Sequence, residues 1–195
     1  MIKNAQSGID FAEFDIVRHG AESDERAWKS EFGVSRDVSG LEVERNIFRY
    51  LPVAVTIRLA EGEPLGNLVR LIAAATRAGS TITISSALPL PATLVTQFIS
   101  DSSPVRVADI VIESDAAFLD RVRAGEVSST RIRLAGGNAA ALSAAVAGDP
   151  DVAIYAGEVT TAGRVELLPF LHEQSISITA HRFGNPDQAM ATLPI

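Results

Sequence analysis

Two of the three histidines lie close together near the end of the chain, in the stretch LLPFLHEQSISITAHRFGNP (167–186). His181 and Arg182 follow a strand-like run, a position where an open α/β sheet usually carries its chemistry. Imidazole titrates near neutral pH and guanidinium grips carboxylates in a bidentate manner, so the pair could serve as an acid–base group and a carboxylate clamp. A nucleophilic site also needs a matched base and an orienting group, and the sequence offers no evident third member.

The segment SITAHRFGNP (177–186) alternates apolar and polar residues and ends in the turn-forming residues Gly184, Asn185 and Pro186. This pattern is typical of an extended strand that lies against a partner. We favour that interpretation over local structural hydrogen bonding, and both over catalysis. His172 and His19 are most simply surface residues.

A second candidate is the turn LAGGN (134–138), in which Gly136 and Gly137 separate a predicted strand from a helix that Asn138 can cap. Free amides at a helix start attract phosphate, so a nucleotide site is conceivable here. The full GxGxxG pattern and a P-loop lysine are missing, and paired glycines in a tight turn are more often simple geometry. Glu113 and Asp115 could pass for paired carboxylates, but helix capping explains them, and Ser85 and Ser86 lack a hydrolase elbow.

Composition narrows the function classes. The chain has 195 residues, 47% of them apolar and 21% charged, which is ordinary for a globular α/β domain. A net charge of −7 gives no attraction toward nucleic acid, and no apolar stretch reaches the length of a bilayer span, so we expect the cytoplasm as the location. With no cysteine, a thiolate nucleophile and a thiolate metal site are excluded, and no metal site is predicted.

From Tyr50 onward, short β-branched runs alternate with stretches of helical apolar spacing. This pattern predicts an α/β, Rossmann-like domain with a mostly parallel sheet and helices on both faces. Residues 1–50 read as an N-terminal arm with one helix near 22–32. A further helix is predicted near 165–173, although Pro169 in its interior would require it to start late or to bend. Ser114 or Asp115 and Asn138 should begin helices, whereas Gly79, Gly125 and Gly148 should end them. The predicted strands are 53–59, 81–85, 107–113, 130–135, 151–156 and 175–180.

The stretch EPLGNLVRLIAAATRAGSTITISSALPLPATL (63–94) resembles the first βαβ unit of the nicotinamide-binding domain of aldehyde dehydrogenases. In that family a lysine at the end of the second strand holds the adenosine ribose, whereas Ser85, Ser86 and Ala87 stand at the aligned positions here. The family's catalytic cysteine is also missing. The resemblance therefore implies a scaffold of this lineage without its cofactor contact or its chemistry.

Three further stretches, 44–59, 151–171 and above all GRVELLPFLHEQSISITAHRFGNP (163–186), resemble the C-terminal region of the bacterial bifunctional proline-catabolic enzymes. These enzymes join proline dehydrogenase to 1-pyrroline-5-carboxylate (glutamate-semialdehyde) dehydrogenase. The resemblance implies a non-catalytic, aldehyde-dehydrogenase-like C-terminal domain that packs on the dehydrogenase domain of the same polypeptide, near the passage of the intermediate. FAD and NAD would belong to the other domains of such an enzyme, and no cofactor is expected in these residues.

The expected organisation is thus an arm (1–50), a Rossmann-like domain (51–186) that ends in a docking motif (163–186), and a tail (187–195). Two alternatives stay open: a small nucleotide-binding enzyme that uses the Gly136–Gly137 turn, and a module that self-associates into a homo-oligomer. Under the docking interpretation, the residues expected to contact the partner are Arg164, Glu173, Gln174, His181, Arg182, Phe183, Gly184, Asn185 and Pro186.

Overall fold

The computed structural model describes residues 8–41, 44–98, 100, 103–179, 181–182 and 185–186, the last four by their backbone pairing alone. Helices and strands alternate along most of these ranges. The helices are α1 (Phe11–Ala27), α2 (Leu65–Ala78), α3 (Ala92–Phe98), α4 (Asp115–Arg123), α5 (Ala139–Ala145) and α6 (Gly163–Glu166), with a π-helical turn at Trp28–Phe32 and a 3-10 turn at Leu168–Phe170. The strands are β1 (Arg36–Asp37), β2 (Glu44–Pro52), β3 (Val55–Leu59), β4 (Thr81–Ser86), β5 (Arg106–Ile112), β6 (Arg131–Ala135), β7 (Ala153–Tyr155), β8 (Leu171–Thr179), β9 (His181–Arg182) and β10 (Asn185–Pro186).

Five strands form one parallel sheet in the order β5-β4-β3-β6-β7, as counted over the described ranges. The central strand β3 therefore comes first in the chain, β4 and β5 follow on one side of it, and β6 and β7 then lie on the other side. The strand order thus reverses its direction between β3 and β6, which are neighbours in the sheet. The predicted fold class, α/β and Rossmann-like with an additional N-terminal helix, is confirmed.

Helices cover both faces of the sheet, because side chains of a strand point alternately to either side. Val55, Ile57 and Leu59 belong to a core cluster with α1, α2 and α3. Ile132 and Leu134 belong to a second cluster with Phe118 and Val122 of α4 and with residues of α5. Each face thus buries its own apolar layer against helices.

Local signals explain where several helices begin and end. The Ser114 side chain accepts a hydrogen bond from the amide of Ala117 and begins α4, and the Asn138 side chain accepts one from the amide of Ala141 and begins α5. Gly79 ends α2 with a left-handed φ of 75°. These predicted helix boundaries are confirmed.

The sixth predicted strand is real, but its expected place in the parallel sheet is wrong. Residues of SISITA lie in β8, which pairs antiparallel with β2 from Glu44↔Thr179 to Pro52↔Leu171. With the short strand β1 they form a separate sheet in the order β1-β2-β8. Strand direction and partner depend on distant residues, and most of β2, residues 44–50, falls within the predicted arm (1–50).

The predicted helix near 165–173 is also wrong for most of its length. Helix α6 ends at Glu166, Pro169 lies in a 3-10 turn, and β8 already begins at Leu171. A proline in a helix interior removes a hydrogen bond and clashes with the preceding turn, so the chain changes conformation there.

The N-terminal helix is longer than predicted. Asp10 caps α1 through the amide of Glu13, and the helix continues into the π-helical turn that contains Trp28 and Phe32. The Phe32 ring packs edge-on against Tyr50 at 4.9 Å between ring centres. The segment therefore joins the core cluster on one face of the parallel sheet and also contacts β2.

Candidate functional site

The carboxyl edge of the parallel sheet holds the predicted glycine turn between β6 and α5. Gly136 and Gly137 have φ values of +74° and +79°, a left-handed conformation that glycine adopts without strain. A Cβ on Gly136 would collide with the side chain of Glu63, and a Cβ on Gly137 would lie 3.1 Å from that of Ala60. The turn therefore has the predicted shape, but an acidic side chain of the chain itself packs against it.

Other carboxylates occupy the same edge. The amide of Asp115 donates to Glu61 Oε1 at 3.1 Å, so Glu61 covers the start of α4. Glu63 Oε2 accepts from Asn67 Nδ2 at 3.0 Å. A recess of about 60 Å³ remains between Arg58, Phe118 and the glycine turn, well below the roughly 300–1,000 Å³ of ordinary ligand pockets.

A buried polar cluster lies next to this edge, at the ends of β3, β4 and β5. Arg58 Nη1 donates to Ser85 Oγ at 2.8 Å, and Ser85 Oγ in turn donates to Glu113 Oε1 at 2.7 Å. Arg121 Nη1 binds the same Glu113 oxygen at 2.7 Å, and Arg58 Nη2 binds Asp115 Oδ1 at 2.6 Å. The charges therefore compensate one another within the cluster.

Ser85 and Ser86 stand where the aldehyde dehydrogenase resemblance aligns a ribose-binding lysine. Ser85 is held between Arg58 and Glu113, and Ser86 Oγ donates to the carbonyl of Leu88 at 2.7 Å. Glu113 is not the solvated residue that capping would require, since only 6% of its side chain is exposed. Both serine hydroxyls serve internal hydrogen bonds.

The predicted contact residues of the docking motif fall into two groups: Arg164, Glu173 and Gln174, whose side chains the structure describes, and residues 181–186, whose side chains it does not. Arg164 lies on the surface of α6, where Nε and Nη2 bind the carboxylate of Glu31 at 2.7 and 3.1 Å. Gln174 lies on β8, and its Oε1 accepts from Arg49 Nε of the neighbouring strand at 2.7 Å.

Glu173, also on β8, lies directly across the strand pair from Tyr50. Partial burial, reinforced by the nearby carboxylates of Glu173 and Glu31, raises the pKa of the Tyr50 hydroxyl. Arg164, Glu31, Tyr50 and Glu173 thus interact electrostatically on one side of the β2–β8 pair.

The last predicted contact residues are described only in part. His181 and Arg182 form β9, which pairs antiparallel with Asn185 and Pro186 of β10. Phe183 and Gly184, and the side chains of the four paired residues, lie outside the described residues. That this segment docks on a partner therefore stays a prediction.

Sequence reasoning missed two buried arginines that fix the loop leading into α6. Arg133 of β6 binds both carboxylate oxygens of Glu166 at 2.8 and 3.0 Å, and it donates to the carbonyl of Gly157 at 2.8 Å. Arg70 of α2 donates to the carbonyl of Thr160 at 2.9 Å. The sequence carried a signal for both, because Arg70 stands within the apolar run LVRLI and Arg133 within RIRLA. An arginine buried by such a run is normally paired with a carboxylate.

Arg70 also joins α1 to α2. Its two terminal nitrogens bind the two oxygens of Asp24 at 2.7 Å each, with both side chains almost fully buried. Burial raises the pKa of the Asp24 carboxyl, and the hydrogen bonds from Arg70 oppose that rise. The N-terminal helix is therefore attached through a desolvated ion pair.

Two other kinds of site are absent from the part of the chain that the structure describes. It contains no cluster of three or more histidine, aspartate or glutamate side chains with the arrangement of a metal site. None of its helices combines the length and apolar character needed to cross a bilayer.

The strand order and the glycine turn define a Rossmann-like α/β domain. Among solved structures, Proline Utilization A (PutA) from Corynebacterium freiburgense shares this fold at 29% identity with a TM-score of 0.55. The match covers 86% of this chain and 14% of the length of PutA. Histidinol dehydrogenase from Elizabethkingia anophelis matches 80% of this chain and 38% of its own at 17% identity and a TM-score of 0.48, too distant for any functional argument. No protein-family model and no curated protein matches the chain.

Proposed function

We propose that this chain is a non-catalytic C-terminal domain of a proline-catabolic bifunctional enzyme, in which proline is converted to glutamate through 1-pyrroline-5-carboxylate. The observation that carries the proposal is the match to PutA, which extends over most of this chain and a small part of the other. A segment of that size within a longer polypeptide is what a single domain would occupy. The cytoplasm is the corresponding location.

The domain acts by docking on the dehydrogenase domain of the same polypeptide, where it supports the active site and the passage of the intermediate. The shape of the β1-β2-β8 sheet supports this role. Strand β8 spans nine residues and lies at the end of the strand order. An edge strand offers unpaired backbone groups to a partner strand, and the polar residues of β8 would add specificity.

The carboxyl edge of the parallel sheet supports the non-catalytic part of the proposal. Glu63 lies against the glycine turn, Glu61 covers the start of α4, and Ser85 replaces a charged group with an internally bonded hydroxyl. Carboxylates at this edge would repel the pyrophosphate of a dinucleotide. FAD and NAD would be bound by the other domains of the enzyme.

The first test is the sequence encoded upstream in the same reading frame, which should contain a dehydrogenase domain. In that full polypeptide, Arg164→Glu places two carboxylates opposite each other at the predicted docking surface. We expect a several-fold loss of semialdehyde oxidation or a lag in the coupled conversion of proline to glutamate, because the reversal removes a cation from the docking surface and changes the charge that this surface presents to its partner. The measurement is NADH formation from proline and, separately, from the semialdehyde.

Arg123→Glu is the matched control. Arg123 is a half-exposed arginine on α4, paired with Asp120 at 2.6 Å, and it is not among the predicted contact residues. Its reversal changes the net charge equally and should leave both rates unchanged. Equal kinetics for Arg164→Glu and Arg123→Glu would contradict docking through the α6–β8 surface.

A further inference from the structure

The loop between β7 and α6, residues 156–162, is fixed by buried charges more than by apolar packing. Its sequence AGEVTTA contains one large apolar side chain, a half-buried valine. Loops with so little apolar contact are normally mobile. Here the buried guanidinium of Arg133 binds the carbonyl of Gly157 at 2.8 Å. That of Arg70 binds the carbonyl of Thr160 at 2.9 Å.

Thr160 joins two buried ion pairs through its backbone. Its amide donates to Glu166 Oε1 at 2.8 Å, and Glu166 is paired with Arg133. Its carbonyl accepts from Arg70, which is paired with Asp24. None of these four charged side chains is more than 3% exposed. Helix α1, the loop and helix α6 are thus linked by one continuous set of buried hydrogen bonds.

Helix α6 is too short to hold its own orientation. It has four residues, and such a short helix is unstable without tertiary contacts. Leu167 and Phe170 anchor the adjacent chain in the core, but apolar contacts are not directional. The contact of Arg133 with both carboxylate oxygens of Glu166, at 2.8 and 3.0 Å, supplies the direction.

The outer side of α6 and of the 3-10 turn after it carries part of the predicted docking surface. The side chains of Arg164 and Val165 are 74% and 52% exposed, and Leu168 is 45% exposed. Glu166 lies between them in sequence and is fully buried. The orientation of Glu166 therefore decides where these three exposed side chains point.

We propose that Arg133 and Glu166 are positioning residues, which order the docking surface of α6 before the partner binds. This inference rests on the proposed docking function. A surface that is already ordered loses less conformational entropy when its partner docks. A buried ion pair contributes little net stability compared with apolar residues of similar volume, so conformational specificity is the role that its energetics favour.

The test replaces the pair as a unit, with Arg133→Met and Glu166→Leu in one double variant, so that no unpaired charge is left buried. Hydrogen exchange of the chain itself is then followed by NMR at the amides of Val165 and Leu167. Their hydrogen bonds run to backbone carbonyls at the start of α6 and do not involve the altered side chains. We expect exchange at both amides to accelerate by about tenfold or more, because α6 loses its fixed orientation, while the amides of α5 keep their rates.

Leu142→Ala is the matched control for a general loss of stability. Leu142 lies on α5 in the second core cluster, and its truncation destabilises the chain without touching the loop. Exchange at Val165 and Leu167 should stay unchanged in this variant under conditions where the chain is folded. Unchanged exchange in the double variant, or equal acceleration in the double variant and in Leu142→Ala, would overturn the inference.

The full polypeptide separates this inference from the docking function. There the double variant should lower semialdehyde oxidation several-fold, as Arg164→Glu does, whereas Leu142→Ala should not. A loss with Arg164→Glu but not with the double variant would overturn the positioning role and leave the docking function standing. Full rates with both would contradict the docking function itself.

Discussion

At Gly163, helix α6 lies directly against the backbone of α1. Its amide donates to Ser23 Oγ at 2.9 Å, and a Cβ at this position would lie 2.5 Å from the carbonyl oxygen of Ser23 and 2.6 Å from the amide nitrogen of Asp24. Both are backbone atoms and cannot turn away as a flexible side chain would. Gly163→Ala should therefore lower the free energy of unfolding by about 1–3 kcal/mol, the cost of overpacking.

Gly157→Ala is the matched control for that prediction, because nothing lies within 4 Å of a Cβ at Gly157. Urea denaturation followed by circular dichroism measures both variants against the unchanged chain. A Gly163→Ala protein as stable as the Gly157→Ala protein would show that the contact between α1 and α6 is looser than described.

Individual residues differ in how far the sequence could predict their roles. The sequence could predict the turn at Gly136 and Gly137 and the cap at Asn138, since each depends on neighbours within a few positions. The contact of Glu63 with this turn was not, because it joins residues more than seventy positions apart. The same holds for the pairing of Arg133 with Glu166.

At the scale of elements, the attachment of α1 to α2 depends on one desolvated ion pair. Asp24→Asn keeps the size of the side chain but leaves the buried guanidinium of Arg70 without its counter-charge. Because an unpaired buried charge is expensive, this variant should lose about 3–5 kcal/mol of unfolding free energy. Hydrogen exchange at the amides of α1, including that of the buried residue Val17, should accelerate.

Asp15→Asn tests whether the loss of stability expected for Asp24→Asn comes from the burial of the Asp24–Arg70 pair. Asp15 is on the same helix and also binds an arginine, Arg18, but both side chains are more than two-fifths exposed. Solvent screens such pairs, so we expect a much smaller loss of stability than for Asp24→Asn. Similar losses for the two variants would assign the effect to helix α1 itself rather than to its buried contact.

The elements also show why the sequence predicted one sheet well and the other badly. Five β-branched runs separated by helical stretches fit a parallel sheet with little ambiguity. The pair β2–β8 joins residues 44–52 to residues 171–179. Neither stretch of sequence indicates whether its strand is parallel or antiparallel, or which strand it pairs with. Pro169 was a usable signal for the early end of the last helix, but it could not show that a strand begins two residues later.

At the scale of the whole molecule, the domain presents a nucleotide-type scaffold with acidic groups at its carboxyl edge. The chain carries a net charge of −7, and Glu61 and Glu63 lie where a dinucleotide would place its pyrophosphate. The remaining recess of about 60 Å³ is smaller than an adenine ring system with its ribose requires. Shape and charge thus oppose the rival function of a nucleotide-binding enzyme.

Calorimetric titration of the isolated chain with NAD, NADP and ATP tests this point directly. We expect no saturable heat with any of the three, whereas a nicotinamide-dependent dehydrogenase measured in the same buffer should give a complete isotherm. Micromolar binding of any nucleotide would require Glu63 to leave the glycine turn, and it would favour an independent enzyme over a docking domain.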